Sequence, residues 1–225
     1  MSNVPPAAGE KEKRRRILDP SERFSEILFG VIMVLTFTGS LSAATSGQSE
    51  VRTMLIGAIG CNLAWGIVDA IMYILSSLSG RGRELITLRS VRAAADPSAA
   101  HPLIAEALPP LVASVLRPDE LESIRRRLAA LPEPPKIATF RKADFLGAVG
   151  VFLLVFLSTF PVVLPFVVMS DAMKALRVSN GIAIALLFVA GYSLGKYSGH
   201  SPWRTGLAMV GVGVVLVAIT IALGG

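Results

Sequence analysis

Long apolar runs separated by blocks of charge are the feature that most restricts how this chain can fold. The 225 residues are 52% hydrophobic and only 17% charged, against about 25% charged in typical soluble domains. The runs are about twenty residues long, and twenty helical residues span the roughly 30 Å of a bilayer's hydrocarbon core. Backbone groups inside a bilayer must be satisfied within the protein, which favours helices. The pattern therefore predicts an all-α, polytopic membrane protein in contact with the lipid bilayer.

Five transmembrane helices are predicted. The first apolar run has about 21 residues, longer than the roughly 7–15 of a signal peptide, so it is expected to be retained. The apolar part of the fourth run is short, and we expect that helix to extend in both directions. The five spans are 24–44, 54–78, 145–169, 182–194 and 203–223. The expected organisation is a basic tail (1–23), helices one and two (24–78), an insert (79–142) and helices three to five (143–225).

The insert is predicted to be a small helical layer. In "RPDELESIRRRLAAL", Pro118 suits a first helical position, acidic residues follow it, and arginines come later, in the order that the helix dipole favours. Leu121, Ile124 and Leu128 recur at helical spacing, which indicates an amphipathic helix. "GRELITLRSVRAAA" is consistent with another helix. "HPLIAEALPPLVASVL" is interrupted by two prolines, and "LPEPPK" is typical of a stiff tether.

The positions of lysine and arginine predict the orientation. The tail holds six, the insert eleven, and the connection between spans four and five two, whereas the opposite side holds three. By the positive-inside rule the N-terminus and the insert are cytoplasmic and the C-terminus is outside, as in a bacterial inner membrane. Basic residues that flank apolar spans also account for the net charge of +6, so no nucleic-acid partner is expected.

The second span contains a carboxylate, in the stretch "GCNLAWGIVDAIMY". Asn62 and Asp69 are seven residues apart and therefore share a helix face, together with Gly66 and Tyr73. A charged group at this depth costs about 2.5–3.5 kcal/mol, so Asp69 is expected to face the protein interior beside a partner. The stripe predicts an ion or proton site. The alternative is a structural hydrogen bond between helices.

The first span carries a comparable stripe that includes Glu26 and Met33. Glu26 lies near the cytoplasmic end, where it fits either an ion entrance or a salt bridge with Arg23. Met33 lies near mid-membrane. Its thioether is suited to binding a soft metal, and the alternative is that the side chain only fills space between helices. No nucleotide loop, nucleophile triad or zinc signature occurs, so neither enzyme activity nor a bound cofactor is predicted.

Two further motifs concern helix packing. Pro161 and Pro165 each remove a backbone donor in the third span and free carbonyls one turn earlier. The pair predicts a kink, and the alternative is that the freed carbonyls line a cavity. Gly191, Gly195 and Gly199 follow one another at four-residue spacing, which predicts a face of close helix packing.

Two spans, a helical insert and three further spans form a layout that resembles the vacuolar iron transporter family. "SEILFG" is similar to the start of that family's first span, "FLLVFLSTFPVVLP" to its third and "WRTGLAMVGVGVVLVAITIALGG" to its fifth. The resemblance implies a homodimer that moves ferrous iron or manganese, commonly in exchange for protons.

The chain departs from the family at the expected metal ligands. Met33 stands where the family's first span has the aspartate of an Asp-Gly pair, while Glu26 matches an acidic residue near that span's start. The family has a metal-facing methionine in its second span, for which Asp69 and Met72 are the nearest candidates. Its insert bears metal-collecting glutamates, whereas acidic residues here are scattered among arginines, at Glu84, Glu106, Asp119, Glu120, Glu122 and Glu133.

Two functions follow from these observations. The first is a dimeric transporter of a divalent metal, with Asp69 as central ligand or proton carrier and Asn62, Met33, Glu26 and Met72 assisting. The second is a non-transporting scaffold or partner-binding protein that keeps the fold. A third, weaker alternative is a monovalent-cation channel, because "RFSE" is similar to an Arg-Phe-Ser-acid signature in which the arginine stands further upstream.

Overall fold

A computed structural model describes residues 20–39 and 48–222, and helix is the only regular secondary structure in those two ranges. These described ranges contain nine helices in succession: α1 (Pro20–Gly39), α2 (Gln48–Ala93), α3 (Pro97–Ala107), α4 (Pro110–Ala113), α5 (Pro118–Ala129), α6 (Lys142–Ser158), α7 (Phe160–Val168), α8 (Ala172–Tyr197) and α9 (Pro202–Ala222). The predicted all-α class is therefore confirmed for the described residues. The basic cluster before residue 20 lies outside them.

In the part of the chain that the structure describes, three segments are long and apolar enough to cross a membrane, namely Val51–Ala93, Lys142–Val168 and Ala172–Tyr197. The predicted extension of the fourth span in both directions is found in α8. The helix α2 does not end where its apolar run ends. It continues through Gly80 and Gly82 to Ala93, so "GRELITLRSVRA" prolongs α2 rather than forming a separate helix. At 1.5 Å per residue its 46 residues measure about 69 Å, so only part of α2 can lie in a bilayer.

The chain divides into two compact units. The first unit comprises residues up to Ile71 together with Phe145–Gly225. Within it, α8 packs along α9, α1 and α7. Its core is formed by aliphatic side chains that are almost fully buried, including Val31, Val34 and Leu187.

Glycines allow the close approach of α8 and α9. A Cβ at Gly191 would lie 2.6 Å from Met209 Cγ, and one at Gly195 would lie 2.7 Å from Thr205 Oγ1. Gly199 follows the helix with a φ of +71° and has open space around it. The predicted close-packing face is therefore confirmed at Gly191 and Gly195, and Gly199 instead forms the turn after α8.

The helical hydrogen bonding is interrupted between α6 and α7, just before the proline pair for which a kink is predicted, although Thr159 keeps helical dihedrals, with φ of −70° and ψ of −38°. Thr159 lies between the two helices, and its N–H bonds the carbonyl of Phe156, three residues earlier, at 3.3 Å. The Val155 carbonyl instead accepts a hydrogen bond from Ser158 Oγ at 2.7 Å. Pro161 and Pro165 have no N–H to donate in the next turns. The break therefore has a local cause in the sequence "STFPVVLP".

The second unit comprises Met72–Asp144. The predicted amphipathic helix is confirmed as α5, and its apolar residues pack on Val91, Ala100 and Ile104. Arginines of α2 bind the tether that follows α5. Arg92 donates to the Pro132 carbonyl at 3.2 Å, and Arg89 donates to the Lys136 carbonyl at 2.7 Å.

Nearer the tether's end, Arg81 donates to the Thr139 carbonyl at 3.2 Å. The guanidinium of Arg81 also forms a bidentate pair with Asp144, at 2.8 and 2.6 Å. Three arginines of one helix thus supply donors to the carbonyls of an extended segment, whose proline-rich sequence forms no helix of its own.

Candidate functional site

One face of α2 turns into the first unit at the predicted polar stripe. Ala58, Asn62 and Gly66 are buried at successive turns, whereas Leu63 and Trp65 between them are exposed. A Cβ on Gly66 would lie 3.0 Å from the Phe152 ring and 3.3 Å from the Phe152 carbonyl oxygen, so glycine permits α2 to approach α6. The helix periodicity therefore identifies the inward face correctly.

Asn62 is completely buried and only half satisfied. Its Nδ2 donates to the Ala58 carbonyl at 3.3 Å, one turn earlier on the same helix. Its Oδ1 is buried and accepts no hydrogen bond from any described residue. A buried amide oxygen without a donor is costly unless a water or a cation meets it.

Asp69 lies two turns further along the same face. Its Oδ2 is also buried and has no hydrogen-bond partner among the described residues. Carboxylate and amide oxygens are hard ligands that suit divalent cations. Met72 follows Asp69 by three residues, but its side chain is 54% exposed and belongs to the second unit.

The relative levels of the candidates on α1 and α2 follow from one contact. The rings of Phe29 and Trp65 are 5.5 Å apart and meet edge to face. Because only eight residues connect the two helices, this contact is compatible only with an antiparallel pair.

Counting 1.5 Å per residue from that contact places Glu26 and Asp69 on the same side of it, about 4.5 and 6 Å away. Met33 lies about 6 Å on the other side, at the level of Asn62. Both Glu26 and Met33 are partly buried. Glu26 therefore lies at about the same height along the helix pair as Asp69, and Met33 lies at about the height of Asn62.

The break between α6 and α7 adds polar groups that the sequence reasoning missed. Thr159 is 1% exposed, and its Oγ1 has no partner among the described residues. Ser179 of α8 is fully buried and donates to the Val162 carbonyl at 2.6 Å. The neighbouring Asn180 Oδ1 is buried and without a donor in the described part of the chain. The proline pair pointed to this region, but a single threonine or serine in an apolar run gives no comparable signal.

Two carboxylates of the second unit, those of Glu122 and Asp144, are held by close arginine pairs. Glu122 accepts hydrogen bonds from Arg125 at 2.7 Å and Arg126 at 2.9 Å, and His101 lies 3.4 Å from it. The hydrogen bonds from Arg125 and then Arg126 lower the pKa of Glu122 to about 2. Within residues 20–39 and 48–222, no three His, Cys, Asp or Glu side chains cluster as metal ligands do.

A family model described as the VIT family, the vacuolar iron transporter family, matches residues 108–225. The matched region begins in the insert and includes α5 to α9, whereas Asn62 and Asp69 precede it. No curated protein matches the chain significantly.

Proposed function

Because the chain belongs to the VIT family, whose members are membrane transporters of metal ions, we propose that it moves a divalent metal ion, iron or manganese, across a membrane in exchange for protons. The observation that carries the proposal is the buried Oδ2 of Asp69, which has no hydrogen-bond partner in the described ranges and lies on an apolar helix long enough to cross a bilayer. An ionised carboxylate binds a cation, and the same group binds a proton when the cation leaves.

Four further residues complete the proposed pathway. Glu26 lies near the level of Asp69 and supplies a second carboxylate at the cytoplasmic mouth. Asn62 Oδ1 and Met33 provide a softer mixed site further along the same pair of helices. Met72 follows Asp69 toward the cytoplasmic side.

We further propose five spans, with the N-terminus and the insert in the cytoplasm of a bacterial cell and the C-terminus outside. One end of the first unit supports this orientation, because the start of α1, the end of α8 and the start of α9 meet there. Phe24 lies 5.6 Å from Tyr197, and Tyr192 lies 5.8 Å from Trp203. Aromatic residues beside basic ones are typical of a cytoplasmic membrane interface.

The active form is proposed to be a homodimer, as in the family. Large apolar side chains of α2 that are exposed in the single chain support an additional partner or lipid at this helix, including Ile56, Leu63, Ile67 and Ile71. The mass of the purified protein in detergent, corrected for bound detergent, tests the dimer directly.

Metal flux into proteoliposomes tests the transport proposal. Asp69→Asn keeps the shape of the side chain but removes its charge. Loss of an outer-shell partner of a metal site typically lowers metal affinity or activity roughly 10- to 100-fold. We expect the loss of flux in Asp69→Asn to be at least as large. Asp119→Asn, an exposed site on α5, is the matched control and should transport normally. Unchanged flux in Asp69→Asn would remove this carboxylate from the mechanism.

A non-transporting scaffold is the second candidate function. It is favoured by the arginine pairs of Glu122 and Asp144, which leave these carboxylates unavailable to collect metal. This candidate predicts that ferrous and manganous ions leave the melting temperature of the purified protein unchanged. A clear upward shift with either ion would contradict it.

A further inference from the structure

An apolar groove opens on the surface of the first unit, and no residue of α2 lines it. It has a volume of about 590 Å³, within the range of about 300–1,000 Å³ typical of small-ligand sites. Leucines of α6 form most of one wall, and α1 and α8 contribute the other side through Ile27 and Leu186. Leu146, Leu153 and Leu157 of that wall are all about half exposed. The groove is therefore an open, apolar surface feature and not part of the packed core.

A single charged side chain lines this groove. Arg23 lies in the first turn of α1, is exposed, and forms no salt bridge with a carboxylate of the described residues. A guanidinium binds phosphate oxygens through several donors in a fixed plane. A cation at one end of an otherwise apolar groove is complementary to a molecule with an anionic head and a hydrocarbon tail.

The length of the groove matches one leaflet of a bilayer. From Leu146 to Leu157 the wall rises about 16 Å, close to half of the roughly 30 Å hydrocarbon core. Arg23 and Leu146 both lie within a few residues of the N-terminal ends of their helices. The sequence adds five basic residues shortly before α1, in "KEKRRR". Basic clusters next to a membrane helix attract anionic lipids.

We propose that this groove, referred to below as the α1–α6 groove, binds an anionic glycerophospholipid. Its phosphate pairs with Arg23 and one acyl chain lies along Leu146, Leu153 and Leu157. The site is independent of the proposed transport function, because it is lined by none of the proposed metal ligands.

Thermal unfolding of the full-length protein in a neutral detergent tests the proposal. Phosphatidylglycerol and phosphatidylcholine with identical acyl chains are titrated separately, and inorganic phosphate is a third arm. We expect tighter binding and a larger rise in melting temperature with phosphatidylglycerol. Arg23→Gln should weaken phosphatidylglycerol binding about fivefold, because one basic residue near an anionic surface contributes about 1 kcal/mol. The affinity for phosphatidylcholine should stay unchanged.

A control variant and a groove variant separate this site from general electrostatics. Arg204→Gln removes an exposed basic residue at the start of α9, outside the groove, and should bind phosphatidylglycerol normally. Leu153→Trp should block the groove and weaken the binding of both lipids. If that variant does not fold, Leu157→Trp replaces it as the groove variant. Equal binding of both lipids by the wild type, equal losses in Arg23→Gln and Arg204→Gln, or full protection by phosphate alone would each overturn the proposal.

Discussion

Glu122 has a strongly shifted ionisation equilibrium, from which a pH dependence of stability follows. Hydrogen bonds from Arg125 and Arg126 lower its pKa from 4.5 to about 2 in the folded protein. Because the folded pKa lies below the unfolded one, the stabilisation is fully present above about pH 4.5. It is lost as the pH falls from there toward 2. We expect Glu122→Gln to melt at a lower temperature than the wild type at pH 6, and the difference to shrink toward pH 3.

Glu133→Gln is the control for this prediction. Glu133 is exposed and forms no salt bridge with any described residue, so its loss should change the melting temperature little at either pH. Melting curves recorded at pH 6 and pH 3 for the three proteins are sufficient. A deficit in Glu122→Gln that is equally large at both pH values would contradict the ionic origin of the stabilisation.

Gly195 and Gly181 provide a matched pair at the level of a single helix. Both lie in α8, but a Cβ at Gly195 would meet Thr205 Oγ1 at 2.7 Å and Pro202 Cα at 3.0 Å, whereas one at Gly181 meets nothing within 4 Å. Gly195→Ala should destabilise the protein by about 1–3 kcal/mol through overpacking. Gly181→Ala should be neutral or stabilise it by up to about 1 kcal/mol. Unfolding in detergent measures both, and similar effects would show that α9 yields to the added methyl group.

The tether after α5 depends on arginine donors from α2. Arg92 donates to the carbonyls of Leu131 and Pro132, and Arg89 donates to those of Pro135 and Lys136. Both hydrogen bonds of Arg89 come from Nη2, whose two N–H groups are held in the guanidinium plane. Lysine keeps the charge, but its ammonium lies on a shorter, flexible stem without that fixed plane. Arg89→Lys is therefore expected to release the tether locally.

Limited digestion with trypsin measures that release, because the bond after Lys136 lies within the bound segment. We expect faster cleavage there in Arg89→Lys than in the wild type. Arg127→Lys is a suitable control, since Arg127 is exposed on α5. Unchanged cleavage in Arg89→Lys would mean that the proline-rich sequence alone holds the tether in place.

Periodicity predicted elements well where one physical preference dominated. Pro118 and the acidic first turn fixed the start of α5, and the small-residue spacing identified the face of α8 that meets α9. The end of α2 was not predictable in the same way. Its apolar run stops near Leu78, but strong helix formers follow and Gly80 and Gly82 are not sufficient to end the helix.

The inward face of the candidate site was also readable from the sequence, because Asn62, Gly66 and Asp69 obey helical spacing. The companions of Asp69 were not. They depend on the level at which α1 crosses α2, which the Phe29–Trp65 contact determines and no local pattern encodes. The same limit applies to the arginines of the insert. Their number indicated the cytoplasmic side, but their binding of tether carbonyls depends on long-range contacts.

Across the described residues, the carboxylate and amide oxygens singled out above differ between the two units in whether they have partners. In the second unit the carboxylates of Glu122 and Asp144 have arginine partners at 2.6–2.9 Å. In the first unit Asn62 Oδ1 and Asp69 Oδ2 are buried without a described partner. An unsatisfied polar atom is most costly in an apolar surrounding, so the groups that lack partners are those most in need of an ion, a proton or water. This contrast favours the membrane helices over the insert as the place where cargo binds.

The five-span topology makes a sharp prediction about two serines at opposite ends of α8. Ser170 precedes α8 beside Lys174 and Arg177, and Ser201 follows it beside Lys196 and Arg204; both serines are exposed. In a Cys61→Ser background, a membrane-impermeant thiol reagent should label Ser170→Cys in intact cells. Ser201→Cys should be labelled only after the membrane is permeabilised, because the positive-inside rule puts that end in the cytoplasm.

Each alternative outcome of the labelling has a distinct meaning. The reverse pattern would invert the orientation while keeping α8 as a span. Labelling of both cysteines in intact cells would mean that α8 does not cross the membrane, although its 26 residues are long enough. In that case α9 would be the span after α7, and four spans would remain. The C-terminus would then lie on the same side as the insert, whereas the five-span topology puts the two on opposite sides.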